Sequence, residues 1–341
     1  MTKAKRIFFV TDTKDFTDKL LLEGLRRQVK GFIRLGHDTQ VFSYNNAFCF
    51  VSPVKCNKWS GRLFKSRVDE LLARQIKNYN PDIIFVSFAK FLNAQTIISM
   101  RKASLSAVFV GIDVDLWPEL HEGRIEAAAE LDMVLTTYGD NGQGAYQQAG
   151  VKCVFMPNIC DPDIEHRYAV TDEWRSDILF TGKIKHIHYP TEDIRFQIID
   201  KLTSMKNCVL YGCCGRGPIG GIDYLYAISG TRIGLSINAV NDIRLYHSDR
   251  FIQYLACGTF VLAKRVSDSD LLFKNGVHLR YFDTAEEFFD LANWYLHHED
   301  ERIKIADTGM QHAHSEFNCE KIARYTMDVI ENGSYSAAWT D

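Results

Sequence analysis

Short apolar runs alternate with amphipathic stretches along the first half of the chain. The run RIFFV at 6–10 predicts a buried strand, and the spaced apolar positions of 20–36 predict a helix. The next run, 37–44, predicts another strand. A strand, a helix and a strand at this spacing form a βαβ unit, which requires parallel strands. Because the pattern repeats as far as 152–157, we expect a doubly wound α/β domain there.

A polar segment with two prolines, 157–174, interrupts this rhythm, and a second series of strands and helices begins at 177. The chain should therefore form two similar Rossmann-like α/β domains facing across a cleft. The predicted division is an N-terminal domain at 1–160, a linker at 161–175, a C-terminal domain at 176–316, a last helix at 317–332 and a tail at 333–341.

Composition limits the classes of function. Across 341 residues, 40 Lys and Arg face 43 Asp and Glu, for a net charge of −3, which argues against broad phosphate-driven nucleic-acid binding. The nine cysteines are scattered without a C-x-x-C pair, so we expect free thiols and no structural zinc. No apolar run reaches the roughly 18 residues of a membrane span or resembles a signal peptide. We expect a cytoplasmic protein without a transmembrane segment.

The segment HSDRFIQYLACGTFVLA at 247–263 carries the strongest local signal for chemistry. Ser248 is expected to cap a helix with its hydroxyl, and Gly258 to end that helix before a strand. The N-terminus of a helix attracts anions through its partial positive charge and free N–H groups. Arg250 lies in the first turn, where its positive charge is repelled by that of the helix N-terminus. An anion in front of the helix would offset this repulsion. The alternative is an ion pair between Arg250 and Asp249 or a neighbouring acid.

The same region contains an ordered set of motifs: a strand ending in Asn238, Arg250 entering a helix, then ACG-FVL, LLFKNG, YF-D-AEEF and ER--IA--G. In order and spacing, residues 223–330 resemble the C-terminal domain of CgeB-like glycosyltransferases, which have the GT-B fold. The resemblance implies a nucleotide-sugar donor held by the C-terminal domain, and a last helix that crosses back to the first domain. It also implies an acceptor held by the N-terminal domain, no metal or cofactor, and a retaining reaction. The hydroxyl acceptor remains open: a glycan, a protein, a small molecule or a modified nucleic-acid base.

Two positions depart from the expected pattern. The glutamate that the family usually has three residues after the arginine is Gln253 here, and the second glutamate that related retaining enzymes often have, eight residues before Gln253, is Leu245. Gln253 can still hydrogen-bond a ribose hydroxyl. Two alternatives therefore stay open beside the glycosyltransferase. One is a nucleotide-sugar-binding or scaffold protein without catalysis, and the other is a GT-B-fold sugar-nucleotide epimerase, which would need paired carboxylates.

The diphosphate of a nucleotide sugar needs positive charge and N–H groups when no metal neutralises it. Candidates for donor binding follow strands or begin helices of the second domain: Gly182, Lys183, Lys185, Asn238, Arg244, Ser248, Arg250 and Gln253. A glycine at 182 would let backbone approach an anion, whereas the alternative is a solvated turn. The glycine-rich run 211–221 either contacts the base or only forms tight turns.

Acids at strand ends of the first domain are candidates for acceptor chemistry. Asp113 is predicted as the catalytic residue, either as a general base in an inverting reaction or as a ligand of the acceptor hydroxyl in a retaining one. Asp12 and Asp115 are predicted to bind the acceptor. The alternative for each acid is a cap or turn residue. The histidines show no metal-ligand spacing, so no metal site is predicted.

Overall fold

The structure is a computed structural model that describes residues 3–13, 24–52, 58–88, 92–114, 122–184 and 193–340. The chain divides into two compact units. One comprises Met1–Asp18 and Phe32–Met156, and the other comprises Lys19–Gly31 and Pro157–Asp341. Each unit has its own sheet and its own hydrophobic core. The predicted return of 317–332 to the first domain stays a prediction.

The first unit is built on a six-stranded parallel sheet in the order β2-β1-β3-β4-β5-β6. Its strands are β1 Arg6–Thr11, β2 Asp38–Ser43, β3 Ile83–Ser87, β4 Val108–Asp113, β5 Met133–Thr136 and β6 Cys153–Phe155. The helices along this part of the chain are α1 Gly24–Arg34, α2 Tyr44–Val51, α3 Lys58–Tyr79, α4 Ala94–Ala103, α5 Glu122–Ala129 and α6 Gly144–Gln148. The predicted βαβ pattern is confirmed.

Helix α2 is an addition to the predicted elements. Ser43 ends β2 and accepts the N–H of Asn46, which starts the helix directly after the strand. Tyr44 and Phe48, one turn apart, are buried in the core of the first unit. The predicted strand at 37–44 runs directly into this helix with no glycine or proline between them, which is why the sequence pattern did not separate the two.

The second unit is built on a five-stranded parallel sheet in the order β11-β10-β9-β7-β8. Its strands are β7 Ser176–Thr181, β8 Cys208–Tyr211, β9 Thr231–Ser236, β10 Phe260–Lys264 and β11 Arg280–Phe282. Its helices are α7 Ile194–Thr203, α8 Gly221–Gly230, α9 Asp249–Ala256, α10 Ser269–Leu272, α11 Ala285–His297, α12 Glu299–Glu316 and α13 Cys319–Asn332. The predicted fold class, α/β with two Rossmann-like sheets, is confirmed.

The winding of the second sheet reverses between β7 and β9. The chain leaves β7 to form β8 on one side and then returns to form β9 on the other. In open parallel sheets, ligands bind outside the carboxyl ends of the strands at this switch point. These ends lie at Thr181 and Ser236. Helix α9 packs tightly on β9, because a Cβ at Gly234 would come within 2.5 Å of the Tyr254 ring.

No helix in the described part of the chain combines the length and apolarity needed to cross a membrane.

Candidate functional site

Arg250 lies at the switch point of the second sheet. It is the second residue of α9, and its side chain is only 9 % exposed. Nη2 donates to the carbonyl of Ile237 at 2.8 Å, and Nη1 donates to the carbonyl of Thr181. The guanidinium also lies over the Phe180 ring, 4.8 Å from its centroid. One side chain therefore ties together the carboxyl ends of β7 and β9.

The guanidinium of Arg250 has no ion pair within the described residues. Asp249, the neighbour considered as its partner, instead accepts from Nη1 of Arg27 through both carboxylate oxygens at 3.0 Å. No carboxylate of the described residues lies within ion-pair distance of Arg250. A buried cation without a counter-charge is costly, and an anion at the site would offset that cost.

Several buried polar atoms around the end of β9 lack hydrogen-bond partners. Ser248 occupies the N-cap position with extended backbone, but its hydroxyl makes no capping bond, so the predicted cap hydrogen bond is wrong. Its Oγ is buried and unpartnered, as are Ser236 Oγ, His247 Nε2 and Arg250 Nε. Such atoms are rare in folded proteins. Their concentration within residues 236–250 indicates a place where a polar ligand completes the hydrogen bonding.

His247 contributes a neutral ring to this region. Burial lowers the pKa of its imidazole to about 3, so the ring carries no charge at neutral pH. It stacks on Phe251 with a centroid distance of 4.1 Å, and its carbonyl accepts from Nδ2 of Asn158. The positive charge at the mouth of α9 therefore comes from Arg250 and the helix N-terminus.

Asn238 and Arg244 are engaged by protein groups. Asn238 donates from Nδ2 to the carbonyl of Tyr246 and accepts the N–H of Ser248 on Oδ1, so its amide holds the start of α9. Arg244 donates from Nε to Asp268 at 2.6 Å. These contacts favour positioning of the loop before α9 over direct donor contact. The donor-binding assignment of both residues stays a prediction.

Gly182 makes room for the guanidinium of Arg250. A Cβ at this position would lie 2.6 Å from Nη1 of Arg250 and 2.9 Å from Cζ of Phe180. Gly182 was predicted to let the backbone approach an anion. In the structure, its missing side chain leaves space for the guanidinium of Arg250. Lys183 is exposed and follows directly, whereas Lys185 lies outside the described residues.

Arg195 is a second buried arginine at this end of the sheet, and the sequence reasoning missed it. It is the second residue of α7, whose N-cap is Asp193, and it is 5 % exposed. Its Nη2 donates to the carbonyl of Lys183 at 2.9 Å, and its guanidinium lies 5.4 Å from the centroid of the Phe180 ring. Like Arg250, Arg195 lies in the first turn of a helix, so the same local signal marks both residues in the sequence.

The glycine-rich run 211–221 begins with a tight turn. Gly212 has φ +82, and its N–H donates to the carbonyls of Arg216 and Gly217. A Cβ at Gly212 would come within 3.0 Å of the Gly182 carbonyl. At this position the glycine serves the turn and the close approach of the β7 and β8 ends.

Gln253 lies one turn deeper on α9 than Arg250 and is 6 % exposed. Its Oε1 accepts from the hydroxyl of Tyr224 at 2.8 Å, a partner that sequence reasoning missed. Leu245, at the position of the second glutamate of related retaining enzymes, is 1 % exposed with φ +60, and its N–H donates to the carbonyl of Ser267. Residue 245 is therefore part of the apolar interior.

A buried ion-pair group supports the first turn of α9. Arg27 is 3 % exposed and pairs with Glu165 at 2.6 Å as well as with Asp249. Burial raises the pKa of Glu165 to about 7, although the guanidinium of Arg27 opposes the shift. Arg27 holds Asp249 away from Arg250, so the adjacent acid does not neutralise the arginine.

In the first unit, Asp113 is a buried anion with protein partners. Its Oδ2 accepts from the hydroxyls of Tyr138 and Tyr146 at 2.8 and 2.7 Å, and its Oδ1 lies 3.1 Å from Arg124. Burial and the nearby carboxylate raise the pKa of both tyrosines well above its usual range, so they keep their protons and donate. These contacts favour a structural charge at the end of β4 over a free base. The catalytic assignment stays a prediction.

The two acceptor candidates are less informative. Asp12 is exposed at the end of β1, and its carbonyl accepts from Nδ2 of Asn45. Asp115 lies outside the described residues. Within those residues, no group of three or more His, Cys, Asp or Glu side chains is placed to hold a metal ion.

Part of the chain is similar in sequence to a known protein family. Residues 184–328 match the model of a family described as glycosyl transferase-like. No curated protein matches the chain significantly by sequence.

Several solved structures share the whole fold. HepE from Anabaena, solved in complex with UDP-glucose, superposes with a TM-score of 0.63 at 11% identity, covering 96% of this chain and 100% of HepE. A glycosyltransferase from Rickettsia africae has a TM-score of 0.67 at 14% identity, over 96% and 98% of the two chains. Sucrose-phosphate synthase from Thermosynechococcus elongatus has a TM-score of 0.64 at 11% identity, with the same coverage. The chain therefore has the GT-B fold, and residues 184–328 of its second unit are similar to a glycosyl transferase-like family.

Proposed function

We propose that this protein transfers a sugar from a nucleotide-sugar donor to a hydroxyl acceptor. The observation that carries the proposal is the guanidinium of Arg250. It is buried at the switch point of the second sheet, beside the N-terminus of α9, and has no carboxylate partner among the described residues. A diphosphate supplies the missing negative charge and accepts hydrogen bonds from Arg250 Nε and Ser248 Oγ, which are unpartnered.

The same groups serve the chemistry of transfer. Breaking the bond between the anomeric carbon and the diphosphate oxygen adds a further negative charge to the two that the diphosphate already carries. Arg250 and the free N–H groups of α9 are pre-oriented toward that charge, so they stabilise the transition state more than the ground state. We propose that these groups act without a metal ion or another cofactor, and that the reaction retains the anomeric configuration, as the CgeB-like resemblance implies.

The glycosyl transferase-like match over 184–328 supports the donor class, and HepE, a protein of the same fold, was solved with UDP-glucose. We propose UDP-sugars as the first donors to try. The acceptor is a hydroxyl of a glycan, a protein, a small molecule or a modified nucleic-acid base.

A second candidate is a nucleotide-sugar-binding protein without catalysis. It is favoured by one observation: both carboxylates expected beside the donor are replaced, by Gln253 and by the buried Leu245. A nucleotide sugar would then bind at Arg250 without being consumed.

A donor panel separates these functions. The purified protein is incubated with UDP-glucose, UDP-N-acetylglucosamine, GDP-mannose and ADP-glucose in excess chelator. At about a hundredfold above its dissociation constant, the correct donor should stabilise the fold by about 2.7 kcal/mol. Slow release of nucleoside diphosphate, with the first-formed sugar anomer read by NMR, then identifies transfer to water and its stereochemistry. Stabilisation without turnover favours the binding protein, conversion to an epimeric nucleotide sugar favours the epimerase, and no stabilisation by any donor contradicts the proposal.

A further inference from the structure

The hydroxyl of Tyr224 occupies the oxygen end of the Gln253 amide. Tyr224 lies in the first turn of α8, and its hydroxyl donates to Oε1 of Gln253 at 2.8 Å. Burial raises the pKa of the Tyr224 hydroxyl well above its usual range. The hydroxyl therefore keeps its proton, and the amide oxygen gives that buried proton an acceptor.

The nitrogen end of the Gln253 amide is available for a further hydrogen bond. Nε2 of Gln253 makes no hydrogen bond to any residue that the structure describes. Gln253 shares a face of α9 with Arg250, three residues apart. The two N–H bonds of the amide are therefore available on the face of α9 that Gln253 shares with Arg250.

We propose that Tyr224 is a positioning residue that fixes Gln253 so that its amide nitrogen, and not its oxygen, faces a ribose hydroxyl of the donor nucleotide. The inference rests on the proposed function, because it needs a nucleotide at Arg250. The CgeB-like resemblance implies a glutamate at this position that would accept protons from ribose hydroxyls. In this chain the direction of the hydrogen bond is reversed, because the amide donates and the ribose oxygen accepts.

The reversal makes a testable difference in ligand preference. Fluorine in place of a ribose hydroxyl cannot donate a proton, but it leaves an electronegative atom for an N–H group to face. The two analogues are 2′-deoxy-2′-fluoro-UDP and 3′-deoxy-3′-fluoro-UDP. The wild-type protein should bind the analogue with fluorine at the contacted position about two- to tenfold more weakly than UDP. With a carboxylate at residue 253, the fluoro analogue would lose a charge-assisted hydrogen bond and place its fluorine against the negative charge. Its affinity should then be more than about tenfold lower than that of UDP.

The experiment measures, by calorimetry, the ratio of dissociation constants for each fluoro analogue and UDP in wild type, Tyr224→Phe, Gln253→Glu and Tyr226→Phe. Tyr226 is the matched control, because it lies on the same helix and packs by ring contacts against Tyr168 and Trp174. In Tyr224→Phe the amide is released and can turn its oxygen toward the hydroxyl. The fluoro penalty should therefore rise about threefold or more toward that of Gln253→Glu, while Tyr226→Phe keeps the wild-type ratio.

The outcomes are distinct. If folded Tyr224→Phe keeps the wild-type ratio of dissociation constants for the fluoro analogue and UDP, the inference is overturned, even if UDP binds well. A tyrosine with only a structural role would change affinity without changing this ratio. A severe fluoro penalty in the wild type also overturns it, because the amide oxygen then faces the ribose. If the wild-type protein binds neither UDP nor any other nucleoside diphosphate, it is the proposed function that fails.

Discussion

The close contact between Gly182 and Arg250 gives a sharp single-residue test of the donor site. In Gly182→Ala, the new Cβ would lie 2.6 Å from Nη1 of Arg250 and 2.9 Å from Cζ of Phe180. Comfortable contacts between such atoms are about 3.5 Å, so the guanidinium has to retreat by about 1 Å. Both clashing atoms are the ends of side chains, so we expect the protein to fold.

The retreat should act on ligand binding. It breaks the hydrogen bond from Nη1 to the Thr181 carbonyl and moves the positive charge away from the place where a diphosphate would lie. Loss of a hydrogen bond to a charged group costs about 1.5–3 kcal/mol. Affinity for a nucleoside diphosphate should therefore fall by roughly 10- to 150-fold.

Titration calorimetry with the best nucleoside diphosphate, in chelator, measures this loss. Gly123→Ala is the matched control, because a Cβ at Gly123 in α5 would meet nothing within 4 Å. The control should bind as the wild type does. Wild-type affinity in a folded Gly182→Ala protein would refute the reasoning, since the guanidinium would then have no part in holding the ligand.

Two further predictions concern buried groups. Burial lowers the pKa of His247 from 6.5 to about 3. Below pH 6.5 the unfolded chain therefore binds a proton at this residue that the folded chain does not bind, and stability falls as the pH drops. Urea unfolding should show the wild type losing about 2 kcal/mol more than His247→Gln between pH 7 and 5, and equal losses would exclude the buried neutral ring. Asp113→Asn should destabilise the protein by about 3 kcal/mol in thermal unfolding, because Arg124 loses its buried carboxylate, with donor affinity unchanged. Full stability with abolished turnover would instead support a catalytic Asp113.

The order of strands and helices was predictable because parallel strands covered on both faces are nearly continuous apolar runs. RIFFV at 6–10 lies in β1 and IIFVS at 83–87 forms β3 for this reason. The boundary between β2 and α2 was not predictable in the same way, since Ser43 acts as both the last strand residue and the helix cap. Apolar periodicity alone does not mark such a change.

The candidate site was predictable only where the signal is local. Arg250 was recognised because an arginine in the first turn of a helix opposes the helix dipole. The partners of the other candidates are distant in sequence: Asp268 is 24 residues beyond Arg244, and Tyr224 is 29 residues before Gln253. Residue type indicates what a side chain can bind, but the fold decides which groups are already occupied.

The pairing of Asp113 shows the same limit. A carboxylate at the end of a strand suggests a base, yet Tyr138 and Tyr146, 25 and 33 residues further along, occupy one of its oxygens. Neither tyrosine carries a local signal of this role. The sequence indicates where ligands approach the sheet, whereas the hydrogen-bond partners distinguish a reactive acid from a structural one.

Arg250→Met removes the charge that we propose holds the diphosphate of the donor, while methionine keeps an apolar stem over Phe180. Arg302→Met is the control: Arg302 is 5 % exposed and likewise donates to a backbone carbonyl, that of Tyr295. Dissociation constants are measured for a nucleoside and its diphosphate in each protein. The wild type and the control should both bind the diphosphate much more tightly than the nucleoside, and Arg250→Met should lose about 10- to 150-fold of that preference. An undiminished preference for the diphosphate in folded Arg250→Met would contradict the proposed role of Arg250.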